Sequence, residues 1–395
     1  MQLDRKILAF LFTIVLFNFI GLTLLITVQA FIVREYNTTA LAVSLLTVFY
    51  AVFQFIGAPI LGRISDRFGR RPILLVCLLG SSIGYFIFGI GGALWILYIS
   101  RIIDGFTGGN VSVASAIISD ISSPKDRTKN LGYIGAAFGL GFIIGPVIGG
   151  LLSQISLAAP AYAAGIFSLA AAVVGFFVLP ESLPLDKRDS SKILLKDLNP
   201  VASIGKFISR SMLGMLLIVF LIVNFTFNGF TITFPVFVID KFNIDPLNIG
   251  GLLFVSGIVI AIVQGGLIGK LYKIFGDKNL LIMGTLILTT GLILFALVNS
   301  FWLLYPVLGV ISLGVGLITP SVNSQLSKMV PPQEIGEVFG VSTALNSLTT
   351  IFGPLVAGLL FDHISQNAPY LGGAVLLLIV LVILMRFKPV LATKI

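Results

Sequence analysis

The chain reads as an all-α integral membrane protein of twelve transmembrane helices, set in two six-helix bundles related by a pseudo-two-fold axis. Three observations carry that reading: the composition, a train of evenly spaced apolar segments, and an internal repeat. Of 395 residues, 57% are hydrophobic and only 10% charged, with mean hydropathy +1.09; a soluble domain carries about 25% charged residues. Apolar runs of roughly 20 residues recur along the chain, each able to cross a hydrocarbon core of about 30 Å as a helix. Backbone facing lipid must satisfy its own hydrogen bonds, and the alternating strands of a membrane barrel are absent, so helices remain.

The spans are expected at residues 7–33, 42–62, 72–92, 94–120, 129–154, 158–179, 212–239, 247–269, 279–299, 301–327, 335–361 and 367–386. The first follows a short basic start and is too long for the apolar core of a signal peptide, so it is read as a retained span. The one long polar interruption, 181–211, separates an N-terminal bundle (1–180) from a C-terminal bundle (212–395). Its Lys, Asp and Ser content suits a cytoplasmic linker with room for an amphipathic surface helix. The repeat supports the division. At an offset of about 207, Gly62, Arg63, Phe68, Gly69 and Arg71 meet Gly269, Lys270, Phe275, Gly276 and Lys278, and Trp95 and Tyr98 meet Trp302 and Tyr305. At 208, Pro124, Gly132, Gly145 and Pro146 meet Pro332, Gly340, Gly353 and Pro354.

A net charge of +9 raises nucleic acid as a partner, but the distribution of charge points to the bilayer instead. Of 25 Lys and Arg, all but Arg34, Arg101 and Lys241 fall on one side of the membrane if the N-terminus is cytoplasmic. That positive-inside bias puts both termini in the cytoplasm and the chain in the cell membrane as a multi-pass protein. The lone Cys77 excludes a disulfide within the chain, and the lone His363 makes a zinc site improbable; no metal or cofactor is expected.

Three stretches carry chemistry. The first is Gly62 to Pro72, GRISDRFGRRP, a tight basic turn between two spans. A carboxylate at a helix C-terminus is disfavoured without compensation, so Asp66 needs a partner. Arg67, Arg70, Arg71 and the start of the eleventh span near Glu334 to Gly336 are the candidates, while Gly62 would let a neighbouring helix approach. The second is the fourth span, where Arg101 and Asp104 lie about 10 and 15 Å below its outer end at about 1.5 Å per residue. A charge at such depth costs at least about 2.5–3.5 kcal/mol and usually faces a cavity or a partner. Two readings stand: a group that titrates with protons or binds a cation at Asp104, tuned by Arg101, or an ion pair that braces the helix. The third is the fifth span, where Gly141, Gly145 and Gly149 form a packing stripe and Pro146 bends the helix.

These stretches resemble the major facilitator superfamily of transporters. The GxxxDRxGRR spacing is similar to its signature loop, which implies a cytoplasmic gate at Gly62, Asp66, Arg67, Gly69 and Arg70. RIIDG, Arg101 to Gly105, resembles the fourth-helix motif of drug/proton antiporters, whose arginine is associated with proton coupling. Gly132, Gly141, Gly145, Pro146, Gly149 and Gly150 reproduce the antiporters' fifth-helix motif. SDRFGRRPILL, ALWILY, GYIGAAFGLGFIIGPVIGG and the PES at Pro180 to Ser182 look like the tetracycline-efflux group, strongly over about residues 40–182 and weakly thereafter. The chain departs from that group at Asn18, which aligns with its first-helix acid, at Thr27 and Ala30, which replace prolines, and in a ninth span without an acid.

Remaining candidates are neutral. Asn18, Gln54, Asn110, Asn224, Asn228, Asn323 and Asn346 either line a substrate cavity or bond between helices. Phe220, Phe225, Phe227, Phe230 and Phe234 form an apolar wall for a ligand or face lipid. The resemblance implies a monomeric secondary transporter, not an enzyme, exporting a small amphipathic or hydrophobic molecule against an inward flow of protons. A uniporter or importer of an organic solute, and a membrane sensor that transports nothing, are the alternatives.

Overall fold

The protein is described from a computed structural model covering residues 2–123, 126–188, 204–331 and 334–386. The surface helix expected in the linker between 189 and 203, the Pro124 and Pro332 pair, Lys125, Lys388 and Lys394 lie outside the described residues.

Every regular element among the described residues is helical. Before the linker stand α1 (Gln2–Arg34), α2 (Ala40–Phe68), α3 (Arg70–Ile90), α4 (Leu94–Thr107), α5 (Asn110–Ile121), α6 (Arg127–Ser153) and α7 (Ala159–Val178). After it come α8 (Ile204–Ile208), α9 (Ser211–Phe242), α10 (Pro246–Ile262), α11 (Ile268–Leu297), α12 (Leu304–Lys328), α13 (Ile335–His363) and α14 (Ala368–Arg386). The turns follow from local chemistry. Thr39 caps α2 by accepting from the Ala42 amide at 3.2 Å, and Asn243 closes α9 in the left-handed region with φ +51°, where Asn is tolerated better than most residues.

Ten helical stretches among the described residues are long and apolar enough to cross a membrane. They differ from the twelve expected spans at two places. The fourth span is not one helix: it breaks at Gly108 and Gly109 into α4 and α5, each short. Two adjacent glycines are poor helix formers, and Gln54 of α2 donates to the Gly108 carbonyl at 3.4 Å, helping to satisfy a group at the interruption. The eighth and ninth spans run on as one stretch, Pro246–Leu297, interrupted by a π-helical segment at Val263–Leu267 and by a kink at Gly276, φ +71°.

The chain divides into two compact units, residues 1–198 with 244–254, and residues 199–243 with 255–395. In the first, Ile7, Leu11 and Ile14 of α1, Leu74 and Leu78 of α3, and Val113 and Ile117 of α5 form a buried apolar core. The start of α10 belongs here, because Gly250 lets it settle on the Pro146 carbonyl of α6. In the second, Phe230, Phe234 and Phe237 of α9 stack around Phe295 of α11 and Tyr370 of α14, with centroids 4.8–6.0 Å apart. Phe230 and Phe234 are therefore core residues, neither facing lipid nor lining an open wall; edge-to-face ring packing draws them inward.

Candidate functional site

The fourth span brings its two charges together. Arg101 and Asp104 are three residues apart on α4, where i,i+3 side chains meet, and Arg101 Nη1 donates to Asp104 Oδ2 at 3.0 Å. Both are sealed, at 3% and 1% exposure. The guanidinium lies 5.2 Å from the Tyr85 ring and 4.8 Å from the Phe88 ring of α3. Glycines make this enclosure possible. A Cβ on Gly84 would stand 2.9 Å from Asp104 Cβ, and Cβ atoms on Gly57 and Gly105 would run into the Phe106 and Tyr50 carbonyl oxygens. So α2, α3 and α4 close on one another around the pair, and Asp104 faces α3 instead of an open cavity. Arg101 Nη2 has no hydrogen-bond partner among the described residues.

The neutral candidates separate by what they bond. Asn18 is buried on α1. Gln54 donates to the Tyr50 hydroxyl at 3.0 Å. Asn110 opens α5 at 1% exposure, with neither Nδ2 nor Oδ1 bonded among the described residues. In the second unit Asn224 donates to the Phe220 carbonyl of its own helix at 2.8 Å. Asn228 instead joins α9 to α13 through Thr349 Oγ1 at 3.0 Å and Thr350 Oγ1 at 3.3 Å. The Asn346 carbonyl accepts from both of those threonines, its side chain lying exposed, and Asn323 is half-buried on α12.

The glycine stripe of α6 packs on α1. Cβ atoms at Gly145 and Gly149 would strike the Thr23 and Thr27 hydroxyls, and one at Gly141 would lie 2.6 Å from Phe19 Cβ. Thr23 Oγ1 also bonds the Gly141 carbonyl at 2.9 Å. Gly150 meets Leu247, whereas a Cβ on Gly132 would find nothing within 4 Å among the described residues.

The basic turn is a network. Arg70 Nη1 lies 2.5 Å from Asp66 and 2.8 Å from Ser65 Oγ, and its Nε 3.3 Å from Asp120 at the end of α5. Arg70 is thus the partner Asp66 requires. Arg67 rests 5.6 Å from the Phe68 ring, and Arg71 binds the Phe176 carbonyl. Glu181 of the PES segment accepts from the Arg70 and Arg71 amides at 2.8 and 3.3 Å, capping α3. It fills the space a Cβ on Gly69, φ +107°, would need. Ser182 donates to Asp120 at 3.2 Å. Asp120 and Glu181 were not singled out from the sequence; the PES triplet pointed to the second and nothing local to the first. A Cβ on Gly62 would meet nothing within 4 Å among the described residues. Glu334, a candidate partner for Asp66, forms a bidentate pair with Arg210 at 2.5 and 3.0 Å. Those bonds hold the already basic Arg210 guanidinium further up. The turn's second copy places Asp277 2.5 Å from Lys328 Nζ and 3.0 Å from Ser324 Oγ.

The family model for the Major Facilitator Superfamily matches residues 11–344 and again 265–394. The tetracycline resistance protein, class C, of Escherichia coli is 35% identical over 90% of this chain and 89% of its own length. Multidrug resistance protein 2 of Bacillus subtilis (strain 168) is 32% identical over 94% of this chain and 92% of its own. The crystal structure of the human organic anion transporter MFSD10 superposes with TM-score 0.72 at 25% identity, over 96% of this chain and 99% of that one. With most of its length matched to the family model and to relatives above 30% identity, the chain belongs to the Major Facilitator Superfamily.

Proposed function

We propose that this protein exports small amphipathic or hydrophobic organic compounds across the cell membrane in exchange for protons. Twelve spans, counted by taking α4 with α5 as one and the limbs either side of Gly276 as two, work in this reading as two six-helix bundles that alternate in access, in a monomer with cytoplasmic termini. Its supporting observation is the coincidence of tetracycline and multidrug resistance relatives with a buried carboxylate at membrane depth. An intramembrane acid is a default candidate for a proton relay. In each cycle Asp104 takes a proton from one side and releases it to the other while Arg101 orients the carboxylate. The basic turn gates the cytoplasmic ends.

The test is uptake of tetracycline and of ethidium into proteoliposomes, with and without an imposed pH gradient, by wild type and Asp104→Asn. Gradient-driven accumulation in the wild type that collapses in the variant supports the reading. A second reading, a uniporter or importer, is favoured by the sealing of Asp104 against α3. It predicts equal downhill flux in both proteins and no gain from the gradient. A sensor would move neither compound.

A further inference from the structure

The two copies of the basic turn carry opposite charges at equivalent positions. In the first copy the order is Asp66, Arg70 and, across the bundle at the end of α5, Asp120. Adding 207 to the first two and 208 to the third gives Lys273, Asp277 and Lys328: negative, positive, negative becomes positive, negative, positive. The backbone confirms the register, since Gly69 and Gly276 are likewise 207 apart and both take positive φ, +107° and +71°. Each middle residue then reaches the same partner element in its own unit. Arg70 Nε is 3.3 Å from Asp120, and Asp277 Oδ2 is 2.5 Å from Lys328 Nζ at the end of α12.

We propose that Asp277 and Lys328 form a charge-inverted counterpart of the first turn's clamp, positioning the start of the limb after Gly276 against the end of α12. Orientation of the chain in the bilayer explains lysines in this loop. It does not explain an acid at 11% side-chain exposure held between Lys328 and Ser324, nor Lys328 lying 2.8 Å from the Tyr272 hydroxyl and 4.7 Å from its ring. Tyr272 stands 207 residues after Ser65, whose hydroxyl steadies Arg70. Polarity is freer to reverse in the second copy, where Asp277 meets Lys328 and Ser324 and, unlike Asp66 with Arg70, Lys273 makes no ion pair with Asp277 among the described residues. It is fixed in the first, where Arg70 serves two carboxylates and an acid at position 70 would face Asp66.

The experiment compares wild type, Asp277→Lys, Lys328→Asp, the double exchange, and the matching Arg70→Asp with Asp120→Arg. Amide hydrogen exchange is read over residues 268–285 and 320–330 for the second-copy variants and over the equivalent residues 61–78 and 112–122 for the first-copy variants. Each single change should speed exchange there by about two- to fivefold, the scale of a partly exposed ion pair. The double exchange, which restores net charge and pairing, should return it to the wild-type rate, while the first-copy exchange should not recover. Where a reversal prevents folding, Asp277→Asn, Lys328→Gln and their double replace it, and a non-additive double variant supports the clamp. Unchanged exchange in the single variants, an additive double, or recovery in both copies overturns the proposal. A second arm rests on the transport reading: tetracycline uptake by the single variants should lose maximal rate with KM unchanged, and the double exchange should regain it. If wild type moves neither tetracycline nor ethidium, the transport reading fails, and hydrogen exchange alone still decides the clamp.

Discussion

Replacing Arg101 by Met removes the cation and keeps much of the volume, which isolates the energetic role of the pair. Asp104 would be left at 1% exposure with its ion-pair partner gone. Breaking a buried pair in this way costs about 3–5 kcal/mol, chiefly because the remaining charge is uncompensated. Loss of the guanidinium from the Tyr85 and Phe88 faces adds about 0.5–2 kcal/mol. Asp104→Asn should cost less than Arg101→Met, because the amide oxygen still accepts from Nη1 and both rings still face the cation. Arg101→Met with Asp104→Leu should recover to within about 1 kcal/mol of wild type, since well-packed apolar residues replace a buried pair at little cost. Cys77, fully buried on α3 and the chain's single cysteine, supplies the assay. Its reaction with a thiol-reactive fluorophore reports opening of the bundle during chemical denaturation in micelles. If Arg101→Met loses less than about 1 kcal/mol, the pair does not brace this bundle and the argument from its burial fails.

Two further predictions concern packing and capping. Gly145→Ala drives a methyl onto the Thr23 hydroxyl and should destabilise by about 1–3 kcal/mol as overpacking; adding Thr23→Ala should recover part of that in the same thiol assay, and no recovery would show that the backbone contacts with Ile20 dominate. Glu181→Ala removes the cap of α3 and should cost about 0.5–2 kcal/mol, with Glu181→Gln milder. Trypsin cleavage after Arg70 should quicken in the order wild type, Gln, Ala; an unchanged rate would refute the capping role.

What was legible in the sequence was whatever acts over one or two helical turns. Apolar runs located the helices, the Asp66 and Arg70 spacing held the ion pair, and the Arg101 and Asp104 spacing held the other. The glycine stripe of α6 foretold a close helix, though not that α1 would be that helix or that Thr23 and Thr27 would fill the space glycine leaves. What escaped depends on long-range closure. Asp120 lies 50 residues from Arg70, and Glu181 lies 111 residues from it; each needs the bundle before it has a partner. The interruption at Gly108 and Gly109 escaped for the same reason, because a pair of glycines inside an apolar run is tolerable in a helix until Gln54 of another helix offers a donor. The phenylalanines of α9 were ambiguous by composition alone, and only Phe295 and Tyr370, from other helices, decided that Phe230 and Phe234 point inward.

The polar groups at depth differ in how much hydrogen-bonding capacity they have already used. Thr231 and Asn224 close on their own helix, and Asn228 closes on α13. These bonds are all made within one unit. Asn110, Arg101 Nη2 and Gln325 Nε2 are buried without a partner among the described residues. A buried group left unbonded costs about 1–3 kcal/mol, so a conformation or a ligand that supplies partners gains what this arrangement forgoes. Asn110 stands where α4 gives way to α5, a few residues beyond Asp104 on the same broken span. At that junction the Gly108 amide donates to the Gly105 carbonyl at 3.0 Å, the Val113 amide to the Gly109 carbonyl at 3.1 Å, and Gln54 adds a longer bond to the Gly108 carbonyl at 3.4 Å. The break in the fourth span therefore sets two buried groups with unused hydrogen-bonding capacity, Arg101 Nη2 on α4 and the Asn110 amide on α5, on either side of one junction.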